Sequence, residues 1–264
     1  MITMTPAALL VDFGGVLMES TTRDRWQDVV VSAIAEVVGT DIERDRVLAD
    51  LLAGLAAWRS WKSAMNRPYS PRDLSHAEFW CDFVGADWPG SAREAVRTHA
   101  SELCWVLDSS RAAREPRNGA EDLLRTARGA DIPVAIVSNA LCGRVHREEL
   151  SRLGLSKWVD VELYSDEAGI RKPNPRLIHQ AADRLGIRLE HAWYVGDRYD
   201  RDVVCGRRAG VGLVVLMRAG DTEASRTHTR ATPDLTVEDP ADLCDRLRRV
   251  LDERNDPDDE HQHA

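Results

Sequence analysis

A chain of 264 residues, 43% hydrophobic and 30% charged, is long enough for one large domain or two moderate ones around a sizeable core. Its net charge of −9 argues against nucleic-acid binding, which needs a basic face, but leaves small anionic substrates open because a bound metal ion inverts the field of a site. Five widely spaced cysteines without a Cys-x-x-Cys pair, the lack of a basic region before the first apolar run, and the lack of any apolar run of ~18 residues argue against a disulfide scaffold, a zinc site, a signal peptide and a membrane span, and predict a cytoplasmic protein.

Ala8-Leu9-Leu10-Val11 runs without alternation into Asp12, which predicts a strand buried on both faces of a parallel sheet. Asp12 then stands at the carboxyl end of the strand, where open α/β sheets place their ligand crevice. Gly14 and Gly15 allow the backbone to turn sharply there, although an aspartate that merely closes a strand would look the same. From residue 20 to 114 the pattern is helical, with no strand. Trp26, Val29, Val30, Ala33, Ile34, Val37 and Val38 fall on one helix face, and Leu48, Leu51, Leu52, Leu55 and Trp58 on a second. Ser75-His76-Ala77-Glu78 has the form of a capping box for a third helix, and Pro89 opens a fourth that extends to about Leu107. Trp26, Trp58, Trp61, Trp80, Trp88 and Trp105 lie in this block, either as the core of a helical bundle or, for one or two of them, as the wall of an apolar pocket.

Beyond residue 115 strands and helices alternate. Strands are expected near 133–137, 159–164, 193–195 and 212–216, with helices at 120–128, up to 153, from 175 to 185 and from 200 to 209. This alternation predicts an α/β fold, a doubly wound, Rossmann-like parallel sheet covered by helices on both faces. The first strand belongs to that sheet, so the helical block is an insertion. The expected organisation is a core of residues 1–18 and 115–252, an α-helical cap of residues 19–114, and an acidic, disordered tail of residues 253–264.

Three further stretches carry chemistry. Ser138-Asn139 follows an apolar strand at a helix entrance, which suits an anion and equally suits a plain N-cap. Lys172 is confined between Gly169 and the prolines Pro173 and Pro175. Asp197, Asp200 and Asp202 crowd together after a strand, and close carboxylates repel unless a cation is shared, for which Mg²⁺ suits hard oxygen ligands; Asp200 and Asp202 could also be first-turn residues of the next helix.

Together and in this order, the four stretches resemble the motifs of the haloacid dehalogenase superfamily, and the insertion after the first motif is similar to subfamily I, with an α-helical cap. The resemblance implies that Asp12 is a nucleophile that accepts a phosphoryl group, that Ser138, Asn139 and Lys172 bind the phosphate, and that Asp12, Gly14 (through its carbonyl), Asp197 and Asp202 form a Mg²⁺ site. It implies a Mg²⁺-dependent phosphatase for a small phosphorylated metabolite, with neither nucleic acid nor membrane as partner and the oligomeric state open. Phosphatases of the superfamily usually carry a second aspartate two residues after the nucleophile as general acid and base; here that position is Gly14. Glu19, Asp73, His76 and Glu78 are the candidates to replace it, although such residues more often serve as surface or capping groups, and Arg59, Lys62 and Arg67 are the candidates to meet an anionic substrate, although a solvated helix face explains them as well. Two alternatives stand beside the phosphatase: a metal-independent 2-haloacid dehalogenase, which also lacks the second aspartate, and a non-catalytic binding protein that keeps the fold.

Overall fold

The computed structural model describes residues 5–220 and 222–255. Six parallel strands, β1 (Ala8–Val11), β4 (Val134–Ser138), β5 (Val161–Tyr164), β6 (Ala192–Gly196), β7 (Leu213–Met217) and β8 (Leu235–Val237), form one sheet in the order β5-β4-β1-β6-β7-β8. The unbroken apolar run of β1 follows from its central place. Leu9 and Val11 enter the core on one face of the sheet, and Ala8 and Leu10 enter the core on the other, because successive side chains of a strand point to opposite faces. Burial of Leu9, Leu10 and Val11, each 0% exposed, stabilises the sheet by about 1.5–3 kcal/mol per side chain.

Helices α6 (Ala120–Gly129), α7 (Gly143–Arg152) and α11 (Pro240–Asn255) cover the first face, and α9 (Arg176–Leu185) and α10 (Val204–Ala209) the second. Helix α9 buries Leu177, Ile178, Ala181 and Ala182 along one stripe and stops at Gly186, whose φ of 66° closes it. Strand order reverses at β1, so the carboxyl ends of β1, β4 and β6 open onto a shared crevice.

Between β1 and β4 lie α1 (Trp26–Val38), α2 (Arg44–Met65), α3 (His76–Glu78) with a π-helical turn at Phe79–Val84, α4 (Gly90–Thr98) and α5 (Ala100–Arg111), packed around a core of their own. Trp26, Trp58, Trp80 and Trp88 are buried in that core, and none of the tryptophans lines the cleft at Asp12. The expected faces need a small rotation: Val29 (51% exposed) and Leu52 (45%) face outward, and Val31 and Val47 take the inner positions. The capping box forms, with Ser75 Oγ accepting from the Glu78 N–H at 3.2 Å and Glu78 Oε2 from the Ser75 N–H at 2.8 Å. The single helix expected from Pro89 is two, broken at His99.

Two strands overlap the two ends of the stretch expected to be helical almost throughout. β2 (Met18–Thr22) and β3 (Ala112–Pro116) pair antiparallel, so the chain enters and leaves the helical block along a ribbon. β2 is exposed beyond Met18, and β3 is half-buried apart from buried Arg114 and exposed Glu115, so neither shows the apolar alternation that marks a strand. The disordered tail expected from residue 253 is helical through Asn255 as the end of α11, and residues 256–264 lie outside the described residues. All five cysteines are buried and free. Among the described residues no helix is long and apolar enough to cross a membrane.

Candidate active site

Asp12 is 2% exposed at the end of β1. Its Oδ1 accepts from the Phe13 N–H at 2.8 Å, and its Oδ2 lies 2.9 Å from Lys172 Nζ and 3.2 Å from Arg201 Nη2. The turn that follows is tight: the Phe13 carbonyl accepts from both Leu17 and Met18 N–H groups. Gly15 has φ of 74°, and a Cβ there would run into the Asp197 carboxylate, so glycine is required for the close approach. Gly14 is different. Nothing lies within 4 Å of the place a Cβ would take, and its φ is not positive.

Lys172 comes from the loop before α9 and is 0% exposed. Its three N–H donors go to Val137 O at 2.9 Å, Asp12 Oδ2 at 2.9 Å and Asp202 Oδ1 at 2.7 Å. Burial alone would lower its pKa, but Asp12 and Asp202 outweigh burial and raise it, so the ammonium stays charged. The Asn139 side chain holds this lysine by its main chain, accepting from Lys172 N–H at 2.8 Å and donating to Lys172 O at 3.1 Å. Its amide is thereby committed to the lysine. Ser138, at the end of β4, lines the cleft and is 2% exposed.

The third arm follows β6. A π-helical turn at Tyr199–Val203 directs Asp202 inward, so it does not cap α10. Its Oδ1 accepts from Tyr194 Oη at 2.8 Å as well as Lys172, and its Oδ2 from Arg198 N–H at 3.1 Å and Arg201 Nε at 3.3 Å. Burial works to raise its pKa, yet Lys172 and Arg201 hold it far below the usual carboxylate range. A Cβ on Gly196 would collide with this side chain. Asp197 accepts from Arg201 Nη2 at 2.8 Å, and its pKa is raised, chiefly by burial, against the opposing pull of Arg201. Asp200 points away from Asp12 and accepts from Arg198 and from Asn66 Nδ2, which caps α2, at 2.8 Å.

Carboxylate oxygens of Asp12, Asp197 and Asp202 all lie within 4.8 Å of one another. Three buried carboxylates face two fixed cations, Lys172 and Arg201. The donor set is all oxygen and still carries excess negative charge, which fits a hard divalent cation. Both oxygens of Asp12 and both of Asp202 already accept from other groups, so an ion there would share them with Lys172, Arg201 and the Phe13 N–H, whereas Asp197 meets Arg201 through Oδ1.

A cleft of about 280 Å³ opens beside Asp12 and Gly14, with Ser20, Arg114, His146 and Arg198 on its walls. None of the four expected replacements for the missing aspartate lines it. Glu19 is exposed on β2; Asp73 pairs with Arg171 at 2.8 Å; His76 meets Leu141 O at 2.8 Å and Asp166 at 3.2 Å; Glu78 serves the capping box and Arg72. Sequence reading misses Arg201, Arg114 and His146. His146 stacks on Phe13 with centroids 4.1 Å apart, and burial pushes its pKa down to about 4, so it is neutral near pH 7.

A family model described as haloacid dehalogenase-like hydrolase matches residues 6–210. Among curated relatives, the glyceraldehyde 3-phosphate phosphatase of Methanopyrus kandleri is 36% identical over 103 residues, covering 39% of this chain and 44% of that protein. The phosphoserine phosphatase of Thermus thermophilus is 37% identical over 168 residues, covering 58% of this chain and 64% of that protein. The matched part thus spans between 44% and 64% of these relatives' own length. Among solved structures, CbbY of Rhodobacter sphaeroides in complex with phosphate superposes with a TM-score of 0.54 at 18% identity, over 90% of this chain and 96% of that one. A HAD phosphatase of Thermococcus onnurineus gives 0.53 at 18% identity, over 92% and 97%. At that identity the two structures speak for the fold.

Proposed function

The chain belongs to the haloacid dehalogenase-like hydrolases, and from that premise we propose that it hydrolyses a small phosphate monoester with Mg²⁺, using Asp12 as nucleophile and the helical block of residues 19–114 as a cap over the cleft. One observation carries the reading: Asp12 is buried against Lys172 and within a carboxylate cluster, beside a cleft that opens on Ser138. The named activities of the relatives, on glyceraldehyde 3-phosphate and phosphoserine, agree with it.

In the proposed reaction an Asp12 carboxylate oxygen attacks phosphorus, the ester oxygen leaves with the bond pair, and an aspartyl-phosphate forms. Water then attacks phosphorus, releasing inorganic phosphate and regenerating Asp12. Lys172 stays protonated throughout and offsets charge on the phosphoryl oxygens, while Ser138 donates a hydrogen bond to them. Asp12, Asp197 and the Gly14 carbonyl would hold Mg²⁺, with Asp202 supporting them, and the ion would supply further neutralisation of the transferring group.

Phosphate release should therefore vanish in EDTA and return with added Mg²⁺. One observation favours a second reading, the metal-independent 2-haloacid dehalogenase: Arg201 supplies a tethered cation to all three carboxylates, and no acid stands at position 14. Halide release from 2-chloropropionate in chelator, without phosphate release from any ester, would establish that reading and overturn the first.

The open space at Gly14 gives a direct test of the missing proton shuttle. Gly14→Asp should fold, since nothing lies within 4 Å of the place its Cβ takes. In kcat/KM, which reads the step that expels the leaving group, it should accelerate esters with poor alkoxide leaving groups by up to ~10²-fold, the lower end of general-acid catalysis, and aryl phosphates by less. Equal acceleration of both, read as a parallel shift in a plot of rate against leaving-group pKa, would mean that proton donation is not what the unmodified site lacks.

A further inference from the structure

A group of basic side chains stands beyond the lining of the cleft, about the end of α2, whose cap Asn66 donates to Asp200 at 2.8 Å. Lys62 stands in the last turn of α2, Arg59 one turn before it, and Arg111 ends α5 where the chain passes into β3. In a chain with nine more acids than bases, these three have no ion pair and no side-chain hydrogen bond among the described residues. Lys62 Nζ instead rests 3.5 Å from the centroid of Trp58, and the Arg111 guanidinium lies 5.5 Å from that of Trp26. Arg171, which stacks over Trp61 and pairs with Asp73, and Arg201, which sits among the three carboxylates, are their basic neighbours on the side of Asp12.

Arg171 and Arg201 are ion-paired, and Asp73 and Asp108 oppose the mutual repulsion at Lys62 and Arg111, yet among the described residues no acid pairs directly with Lys62, Arg59 or Arg111. Burial first, and then Arg171, Arg111 and Arg201, lower the pKa of Lys62 to about 7; burial and then Arg59 lower that of Arg111. Stacking on Trp58 does not need the charge, since the stem of a lysine and the chain of a methionine pack alike. The other bases that approach the cleft are balanced: Arg114 by Asp108 at 2.6 Å, Arg198 by Asp200 at 3.2 Å. The unbalanced charge is therefore confined to one side, at the ends of α2 and α5.

We infer that the substrates of this site carry a second anionic group besides the phosphoryl group that enters at Asp12, and that Lys62, with Arg59 and Arg111, receives it. The group is a carboxylate or a second phosphate, the two anions whose shape these side chains pair with. Lys62 is a specificity-determining residue in this account. The inference rests on the phosphatase reading and names its substrate class.

Three alkyl esters and one aryl ester test it: glycerol phosphate, with no second anion; phosphoglycolate, with a carboxylate; ribulose bisphosphate, with a second phosphate; and para-nitrophenyl phosphate as the general phosphatase probe. The unmodified enzyme should prefer at least one of the two doubly anionic substrates over glycerol phosphate by about tenfold or more in kcat/KM, and which one identifies the anion. Lys62→Met should shrink that preference by about tenfold, mainly through KM, and Lys62→Arg should retain most of it. Hydrolysis of para-nitrophenyl phosphate with no preference for a doubly anionic ester, or a preference that survives Lys62→Met, overturns the inference and leaves the phosphatase reading standing. Hydrolysis of none of the four, with Mg²⁺ present, overturns both.

Discussion

Asp12→Asn is expected to abolish hydrolysis, by on the order of 10⁴-fold or more, while the protein stays folded. The amide keeps the shape of the carboxylate and can still accept from the Phe13 N–H through its oxygen. It loses the negative charge that makes the oxygen a nucleophile. Lys172 keeps Asp202 and the Val137 carbonyl, and Arg201 keeps Asp197 and Asp202, so neither cation is left unpaired. Phosphate release, measured beside circular dichroism and Tm, checks this. A folded variant with near-normal turnover would place the chemistry elsewhere.

Lys172→Met should be costly in the opposite way, losing stability as well as activity. Lys172 is wholly buried and holds Asp12, Asp202 and the Val137 carbonyl at once. Its loss leaves two buried carboxylates with Arg201 as their remaining cation, and breaking a buried pair by removing one partner costs about 3–5 kcal/mol. In a chain of this size that corresponds to a fall in Tm on the order of 10 °C. A Tm unchanged within a degree or two would show that the cluster relaxes, by protonation or by entry of water, more readily than its packing suggests.

The elements that hold this site differ in how plainly the sequence announces them. β1, β4 and β6 are legible because a strand covered on both faces needs an unbroken apolar run, and Asp12, Ser138 and Asp197 follow because the crevice opens where those runs end. Lys172 is legible as a restrained lysine, but what places it is the Asn139 amide, a contact across 33 residues that no local pattern encodes. Arg201 is not legible. Beside Asp200 and Asp202 it reads as one more surface charge, and only the π-helical turn at Tyr199–Val203 directs it to three carboxylates at once.

The same contrast runs through the rest of the fold. α9 declares itself by its buried stripe and its closing glycine. α11 carries an equally good signal in Leu243, Leu247 and Val250, which a reading that stops at the last long strand passes over. β2 and β3 carry none, since β2 is exposed beyond Met18 and the buried position of β3 is Arg114, so neither strand shows a hydrophobic period. Two exposed positions, Val29 and Leu52, show that an apolar stripe fixes the existence of a helix better than its rotation.

The absence of a carboxylate at Gly14 bears on the second half of the proposed reaction as much as on the first. With no base at that position to take a proton from the attacking water, the aspartyl-phosphate should break down slowly and accumulate. The most direct measurement is acid quenching during turnover of an ester labelled in its phosphoryl group, followed by mapping of the bound label. The account predicts acid-stable, base-labile label on the peptide that contains Asp12, lost in Asp12→Asn. Sustained phosphate release with label on any other residue, or with burst kinetics and no label on Asp12, would contradict it.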